Sequence, residues 1–444
     1  MFERSAVKSF RFTDCRFDFS TMTAVLSYAF DDAVFFDETF AYKRVPVSAF
    51  HRKEAVETML RLLHFAAGVS YYKACLPEKI VLEKTQMSRA ESLFFKDFYE
   101  KGLGEFSFKN NVPVHVEFPF SPNRRTVVGN PCDLSKKTVV PVGGGKDSIV
   151  TIETLKSAGF APTCISVNRP RAICETIEAS GQPYIEIERK VSPELIKLNE
   201  DAQNNGVLNG HVPVTGILAF AMALGAVLYD YSDICMSCER SANVGNTQFD
   251  GRTVNHQWSK SLEFEELFSL LMKAYLPDLR YFSLLRPLSE LAIAKNFAAT
   301  TKYDAVFTSC NKAFKLDEAK RIDHWCGNCD KCRFVFLALA PFMKKERLLN
   351  IFKCNPLNDS LQLSGFRRLT GMEAFKPFEC VGEIEESVCA FDMIKNKPEW
   401  KDDVVVKVLS NALMPPYDKD KIFALSDRHA VPQEYQNAFE FFKE

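Results

Sequence analysis

A glycine-rich loop is the first segment whose residue types predict chemistry, and it consists of Gly143, Gly144, Gly145, Lys146, Asp147 and Ser148. The loop follows an apolar run, TVVPV, that predicts a strand, and it precedes a periodic segment that predicts an amphipathic helix. Glycine lets the backbone approach an anion closely, and the free amides and dipole of a helix start favour phosphate. In this interpretation Asp147 binds Mg²⁺ and the Ser148 hydroxyl donates to a phosphate oxygen. A glycine-rich turn without a ligand is the alternative.

Two common nucleotide-binding patterns do not fit this loop. The Walker A loop requires Ser or Thr after its Lys, but Asp147 follows Lys146, and the dinucleotide fingerprint requires Gly where Ser148 stands. The loop instead resembles the S-G-G-x-D-S signature of the PP-loop ATP pyrophosphatases, with Gly143 in place of the usual Ser. This resemblance implies cleavage of ATP to AMP and pyrophosphate while an acceptor is adenylated.

Four of the 14 cysteines lie close together in the sequence, at Cys310, Cys326, Cys329 and Cys332. Two C-x2-C steps place three thiolates around one point, and Cys310 completes a tetrahedron of the kind that Zn²⁺ prefers. The same spacing suits an iron–sulfur cluster, and Asp323 or His324 is an alternative fourth ligand. Four thiols without a metal are the remaining interpretation. The arrangement is similar to the zinc-binding cysteines of PP-loop enzymes that make queuosine precursors.

Three polar segments in the second half of the chain predict a site, at residues 209–215, 238–246 and 254–261. The first precedes an apolar segment, residues 217–229, that predicts a buried helix. The second follows a strand predicted from SDICMSC, and polar residues after a strand often face a binding crevice. Solvated loops are the alternative, and His211 or His256 taken alone is equally well explained as a structural histidine.

The elements around these segments predict an α/β fold in three parts. Residues 1–130 begin with alternating Phe residues that predict a small antiparallel sheet, followed by helices at 53–67 and 88–106, with Gly102 and Gly104 as stop signals. From Thr138 onward, strand–helix–strand repetition predicts a doubly wound parallel sheet. Residues 280–298 predict a loop that leads into a helix. The predicted parts are an α+β domain at 1–130, an ATP-binding and catalytic domain at 131–350, and a small C-terminal region at 351–444.

Composition and charge exclude several classes of protein. Apolar residues make up 46% and charged residues 25%, which is typical of a folded globular protein and excludes disordered, collagen-like and coiled-coil chains. The formal net charge is -1, so no basic surplus indicates a nucleic-acid partner. The first residues show no secretory signal, and the longest uncharged apolar stretch, 212–229, favours a buried helix over a membrane span. We expect a cytoplasmic protein without membrane or nucleic-acid partners, and we make no prediction of its oligomeric state.

Seven segments resemble, in order and over most of the chain, the UDP-N-acetylmuramoyl-L-alanyl-L-glutamate epimerase family of peptidoglycan synthesis. They are AGVSYYKACLP (67–77), YEKGLGEFSF (99–108), PVGGGKDS (141–148), SCERSANVGN (237–246), VNHQWSKS (254–261), YFSLLRPLSELAIAK (281–295) and WCGNCDKCRFVFLALAPF (325–342). The resemblance implies a PP-loop fold and an enzyme that uses ATP and Mg²⁺ to invert the terminal L-Glu of UDP-MurNAc-L-Ala-L-Glu. Structural Zn²⁺ in the cysteine cluster is also expected.

The implied reaction needs an activated carboxyl group and a proton acceptor. Adenylation removes the charge of the carboxylate beside the α-proton, after which a base removes that proton and an acid returns one to the other face. By residue chemistry, the acid–base candidates are His211, His256 and Cys238. The candidates for substrate contacts are Glu239, Arg240, Asn243, Asn246, Asn255 and Lys260.

Two other functions fit the same motifs. One is a PP-loop enzyme that modifies nucleotides or tRNA, of the queuosine-precursor or thiolation type, although the near-neutral charge argues against tRNA. The other is an ATP-binding or metal-binding regulator without catalytic activity.

Overall fold

The computed structural model describes residues 2–46, 52–124, 129, 131–315, 318–373 and 376–442. In this part of the chain the strands are β1 (Ser9–Asp18), β2 (Thr23–Phe30), β3 (Val34–Tyr42), β4 (Lys79–Leu82), β5 (Thr138–Pro141), β6 (Thr163–Val167), β7 (Tyr184–Lys190), β8 (Asp233–Met236), β9 (Thr247–Phe249), β10 (Arg252–Val254) and β11 (Arg280–Ser283). The helices are α1 (Lys53–Ala67), α2 (Val69–Cys75), α3 (Arg89–Gly102), α4 (Gly104–Asn110), α5 (Lys146–Ser157), α6 (Arg171–Ser180), α7 (Pro193–Glu200), α8 (Ala202–Asn205), α9 (Val214–Tyr229), α10 (Leu262–Tyr275), α11 (Glu290–Ala298), α12 (Asp330–Leu339), α13 (Lys345–Phe352), α14 (Leu363–Leu369), α15 (Ile384–Ile394), α16 (Val404–Ser410) and α17 (Lys419–Phe423).

The chain divides into two compact units. The first unit comprises Met1–Thr138, Ile185–Ile234 and Gln248–Tyr281, and the second comprises Val139–Tyr184, Cys235–Thr247 and Phe282–Glu444. The division into 1–130, 131–350 and 351–444 stays a prediction, and its first boundary residue, Asn130, lies outside the described residues.

The sheet of the first unit is mainly antiparallel, as the alternating Phe residues predicted. Strands β1, β2 and β3 form an antiparallel meander, with Phe10 opposite Phe30. Strand β4 adds to β1 in parallel, and β7 adds to β3 in antiparallel orientation. Residues 184–190 form a strand, as the sequence predicted, but the antiparallel pairing of β7 with β3 was not predicted. The chain is mixed α/β.

The helices of the first unit follow the predicted periodicity, with one difference. Helix α1 spans residues 53–67 as predicted, and its apolar stripe is buried. Helix α3 ends at Gly102, but Gly104 begins α4 rather than ending a helix, because Leu103 lies between them outside both helices. Leu103 thus separates α3 from α4, which carries Glu105. Helix α9 is buried over residues 219–229, in agreement with the apolar run.

The second unit contains the predicted strand–helix–strand repeat. Strands β5 and β6 are parallel, with Val139 opposite Thr163, and α5 connects them. The segment that begins at Arg280 was predicted as a loop, but Arg280–Ser283 forms strand β11 before α11 starts. No helix within the described ranges is long and apolar enough to cross a membrane.

Candidate active site

The glycine-rich loop lies in the second unit, between the end of β5 and the start of α5, as predicted. Gly144 adopts a φ of +79°, and a Cβ there would meet the backbone carbon of Ala172 at 3.3 Å. A Cβ on Gly145 would lie 3.1 Å from the Ser309 Cβ, whereas one on Gly143 would meet nothing within 4 Å. The loop conformation therefore requires glycine at position 144 and favours it at 145, but it accepts a side chain at 143.

The charged residues of the loop point into a buried ionic cluster. The Lys146 ammonium is buried and donates hydrogen bonds to the carboxylates of Asp147 and Glu290. Burial disfavours the charge, but the two carboxylates outweigh it and raise the pKa of Lys146 above its usual value. The Ser148 hydroxyl donates to the Gly145 carbonyl at 3.2 Å, so it closes the first turn of α5.

Three carboxylates converge beside the loop. One oxygen from each of Asp147, Glu239 and Glu290 lies within 4.8 Å of the other two. The ammonium groups of Lys146 and Lys331 face them, the latter 3.8 Å from Glu290. Three carboxylates therefore lie beside two ammonium groups. Burial is the largest cause that raises the pKa of Glu290. Carboxylate oxygens are the ligands that Mg²⁺ prefers, and a divalent cation would offset the surplus negative charge.

A second cluster lies in the first unit and joins the two predicted histidines. His211 precedes α9, His256 follows β10, and both turn Nδ1 toward the Glu105 carboxylate on α4. The His211 nitrogen lies 3.4 Å from Glu105 Oε2, and His256 is hydrogen-bonded to the same oxygen. Lys109 donates to the other oxygen. The two ring centroids are 4.6 Å apart.

The electrostatics of this cluster favour a neutral His211. Burial is the largest single influence and acts to raise the pKa of Glu105, but the hydrogen bonds and charges of His256, Lys109 and His211 together outweigh it and lower the pKa to about 2. Burial and the nearby His256 lower the pKa of His211 to about 4. At neutral pH the His211 imidazole is therefore uncharged. A carbon atom in contact with both rings would need them about 7 Å apart, so at 4.6 Å no substrate carbon fits between the two imidazoles.

Cys238, the third acid–base candidate, belongs to the second unit. Its thiol is buried, its backbone N–H donates to the Ser283 hydroxyl at 2.6 Å, and its carbonyl accepts from that hydroxyl at 2.7 Å. These contacts fix the chain at the end of β8. A catalytic role for Cys238 stays a prediction.

The remaining predicted contact residues are divided between the units. In the second unit, Arg240 donates to backbone carbonyls of residues 421, 422 and 424, and the Asn246 amide donates to the Pro377 carbonyl at 2.9 Å. Asn243 is exposed on the same segment. In the first unit, Asn255 accepts from the backbone of residue 257 at 2.8 Å, and the charge of Lys260 contributes to the lowered pKa of His211.

The four cysteines of the second unit are brought together. Their sulfur atoms all lie within 4.8 Å of one another, with 3.6 Å between Cys326 and Cys332 and 3.4 Å between Cys329 and Cys332. Four thiolates about 2.3 Å from a tetrahedral Zn²⁺ lie about 3.8 Å apart, so the cluster fits this ion. Asp323, an alternative ligand, instead pairs with Arg171 at 3.2 Å.

Comparison with known proteins decides the family. Residues 1–284 match the model of the MurL N-terminal domain, and residues 306–422 match that of the MurL C-terminal domain. The chain belongs to the UDP-N-acetyl-alpha-D-muramoyl-L-alanyl-L-glutamate epimerase (MurL) family. It is therefore an isomerase, and the resemblance seen in the sequence is confirmed.

Three curated relatives carry that epimerase name. The protein of Xanthomonas oryzae pv. oryzae is 39% identical over 439 residues, which cover 97% of this chain and 96% of the relative. The Micromonospora sp. protein is 42% identical over 388 residues, covering 86% of this chain and 85% of the relative. The Salinispora tropica protein is 42% identical over 415 residues, covering 91% of this chain and 89% of the relative.

Two acidic residues of these clusters were missed by sequence reasoning. Glu105 and Glu290 lie inside segments that resemble the MurL family, but each is one acid among 57 Asp and Glu residues. Glu105 follows a glycine at the break between two helices, and Glu290 follows the cap residue Ser289. Both positions are ordinary for Glu at a helix start, so neither gives a local signal of function.

Proposed function

We propose that this chain inverts the terminal L-Glu of UDP-MurNAc-L-Ala-L-Glu to D-Glu, with consumption of ATP and release of AMP and pyrophosphate. The reaction would serve peptidoglycan precursor synthesis in the cytoplasm. The observation that carries the proposal is the pair of imidazoles on Glu105, in a chain that belongs to an epimerase family. Such a pair supplies the proton acceptor that inversion at a carbon atom requires.

The nucleotide would bind at the glycine-rich loop of the second unit, which we assign to the PP-loop type. The positive φ of Gly144 and the free amides at the start of α5 form an anion cradle. Asp147, Glu239 and Glu290 would hold Mg²⁺, which offsets phosphate charge when bound. Lys146 is positioned by two of these acids and supplies a further positive charge beside the loop.

ATP has a clear chemical purpose in this proposal. The α-proton of a free carboxylate is hard to remove, because the carbanion forms beside a negative charge. Transfer of AMP to that carboxyl gives a mixed anhydride with no charge on the carboxyl, and pyrophosphate leaves. His211 then takes the α-proton on Nε2, while Glu105 holds its Nδ1 side. Because the two imidazoles lie too close together for the α-carbon to fit between them, a different group would deliver the proton to the opposite face. Water then cleaves the anhydride to AMP and the D-Glu product.

The cysteine cluster would have a structural role. Four thiolates fill the tetrahedral coordination of Zn²⁺ and leave no position for water or substrate. Cys329 precedes α12 and accepts a hydrogen bond from the Cys332 amide at 3.4 Å, so the metal would tie this helix start to the chain around Cys310.

A direct assay tests the proposal. Purified protein is incubated in D₂O with ATP, Mg²⁺ and UDP-MurNAc-L-Ala-L-Glu, and AMP, pyrophosphate and the configuration of Glu are measured. We expect equimolar AMP and D-Glu, with deuterium at Cα only when ATP is present. Inversion without ATP would contradict the activation step, and ATP cleavage without inversion would contradict the assigned substrate.

A further inference from the structure

Lys73 on α2 is a buried cation that the proposed reaction does not yet use. The residue is 5% exposed, and its ammonium donates to the Asn209 side-chain oxygen at 2.8 Å. It also lies 5.7 Å from the centre of the Phe106 ring. In residues 2–46, 52–124, 129, 131–315, 318–373 and 376–442, no carboxylate forms an ion pair with Lys73.

A cation in this environment is costly for the free protein. An ammonium has three N–H donors, and the Asn209 oxygen accepts one of them. Burial lowers the pKa of Lys73 to about 8, which shows how little the surroundings support its charge. Since buried charges are normally paired, an anion that enters with a ligand would complete this site.

The position of Lys73 connects it to the imidazole pair. Its hydrogen-bond partner Asn209 lies two residues before His211, and Phe106 directly follows Glu105. The side-chain amide of Asn110 donates to the carbonyls of Phe106 and Asn209, at 2.9 and 3.2 Å. Helices α2 and α4 and the chain before His211 therefore form one packed group, and this group places the ammonium beside the segment that carries the proposed base.

We propose that Lys73 binds the side-chain carboxylate of the glutamyl residue that is inverted. This inference rests on the proposed function. Once the α-carboxyl is adenylated, the γ-carboxylate is the anion of the glutamyl residue that keeps its charge. A cation that holds it fixes the α-carbon relative to His211. The diphosphate of the substrate is the other source of negative charge, and the experiment separates the two.

The test compares two substrates with several variants. The natural dipeptide substrate and its analogue ending in L-Gln differ in the charge of the γ-group. The parent protein should prefer the Glu substrate by about 10- to 100-fold in kcat/KM, which is the contribution expected of one hydrogen bond to a charged group. Lys73→Met should lose this preference and raise KM for the Glu substrate, with KM for ATP unchanged. Lys73→Arg should restore part of the preference. Lys101→Met is the matched control, since Lys101 is a half-exposed lysine of the same unit paired with Asp97 and Glu263.

A merely structural role gives a different pattern. If Lys73 only anchors the chain at Asn209, Asn209→Ala and Lys73→Met would slow both substrates equally and leave the Glu preference intact, which would overturn the inference. Removal of the UDP group from the substrate should lower kcat/KM for the parent protein. If the same removal has no effect on kcat/KM for Lys73→Met, the cation binds the diphosphate and the inference is wrong. Binding of the Glu and Gln compounds, measured by calorimetry, tests Lys73 even if the parent protein does not invert Glu.

Discussion

At the scale of single residues, the imidazole pair predicts that a substitution there slows inversion without slowing the cleavage of ATP. His211→Ala removes the proposed base, and we expect the rate of inversion to fall about 10²–10⁴-fold, as for the loss of an acid–base group. AMP formation should continue at close to the parent rate, because the adenylation step uses the loop of the second unit. Quantification of AMP and of D-Glu by chiral chromatography measures both.

The chain offers a matched control for this variant. His115 is an exposed histidine of the same unit that pairs with Asp250 at 3.1 Å, outside the cluster. His115→Ala should change neither AMP formation nor inversion. If His211→Ala inverts Glu as fast as the parent protein for each ATP consumed, His211 does not take the proton.

At the scale of elements, the turn from β5 to α5 predicts which glycine is essential. Gly144→Ala places a side chain at positive φ, which costs about 1–2 kcal/mol, and brings a Cβ against the backbone of Ala172. We expect AMP formation to fall at least 10-fold. Gly143→Ser is the control, since a Cβ there meets nothing within 4 Å and PP-loop enzymes usually have Ser at this position. Equal rates for the two variants would refute the assignment of the loop.

The start of α12 gives a second prediction at this scale. We expect about one Zn²⁺ per chain by elemental analysis, lost in Cys326→Ser together with thermal stability of the second unit. Cys354→Ser is the control, because Cys354 lies near Gly327 but outside the group of four sulfur atoms. Iron in place of zinc, or equal metal content in the two variants, would contradict the proposed site.

At the scale of the whole molecule, buried neutral histidines predict that acid destabilises the fold. The pKa of His64 and of His211 is lowered to about 4, in both cases mainly by burial. Below about pH 6.5 the unfolded chain binds protons that these folded imidazoles do not, so stability is lost as the pH falls toward 4. The pKa of Glu105, lowered to about 2, extends the loss to still lower pH.

Urea unfolding at pH 7 and pH 5 measures this effect. A shift from 6.5 to about 4 removes about 2 kcal/mol of unfolding free energy per imidazole between these two pH values. His211→Asn should reduce the loss by that amount, whereas His115→Asn should leave it unchanged. An equal loss in the parent protein and in His211→Asn would show that His211 is not held neutral.

The amino-acid sequence by itself determined the features that depend on neighbouring residues. The glycine loop between β5 and α5, the buried helix α9, the meander β1–β3 and the family were all correctly predicted, because periodicity, turn residues and motif order are local properties. The closeness of the four sulfur atoms also follows largely from local spacing. Strand β11 and the antiparallel pairing of β7 with β3 were not predicted, since strand pairing depends on distant partners.

Only the tertiary structure decided which groups meet. Glu105 reaches His211 and His256 across 106 and 151 positions of the chain, and Lys146 meets Glu290 across 144. No local pattern specifies such contacts, because they result from the packing of helices and loops that are far apart in sequence. Packing likewise buries Lys73 without a carboxylate partner in the described part of the chain, and burial is what converts an ordinary lysine into a candidate binding residue.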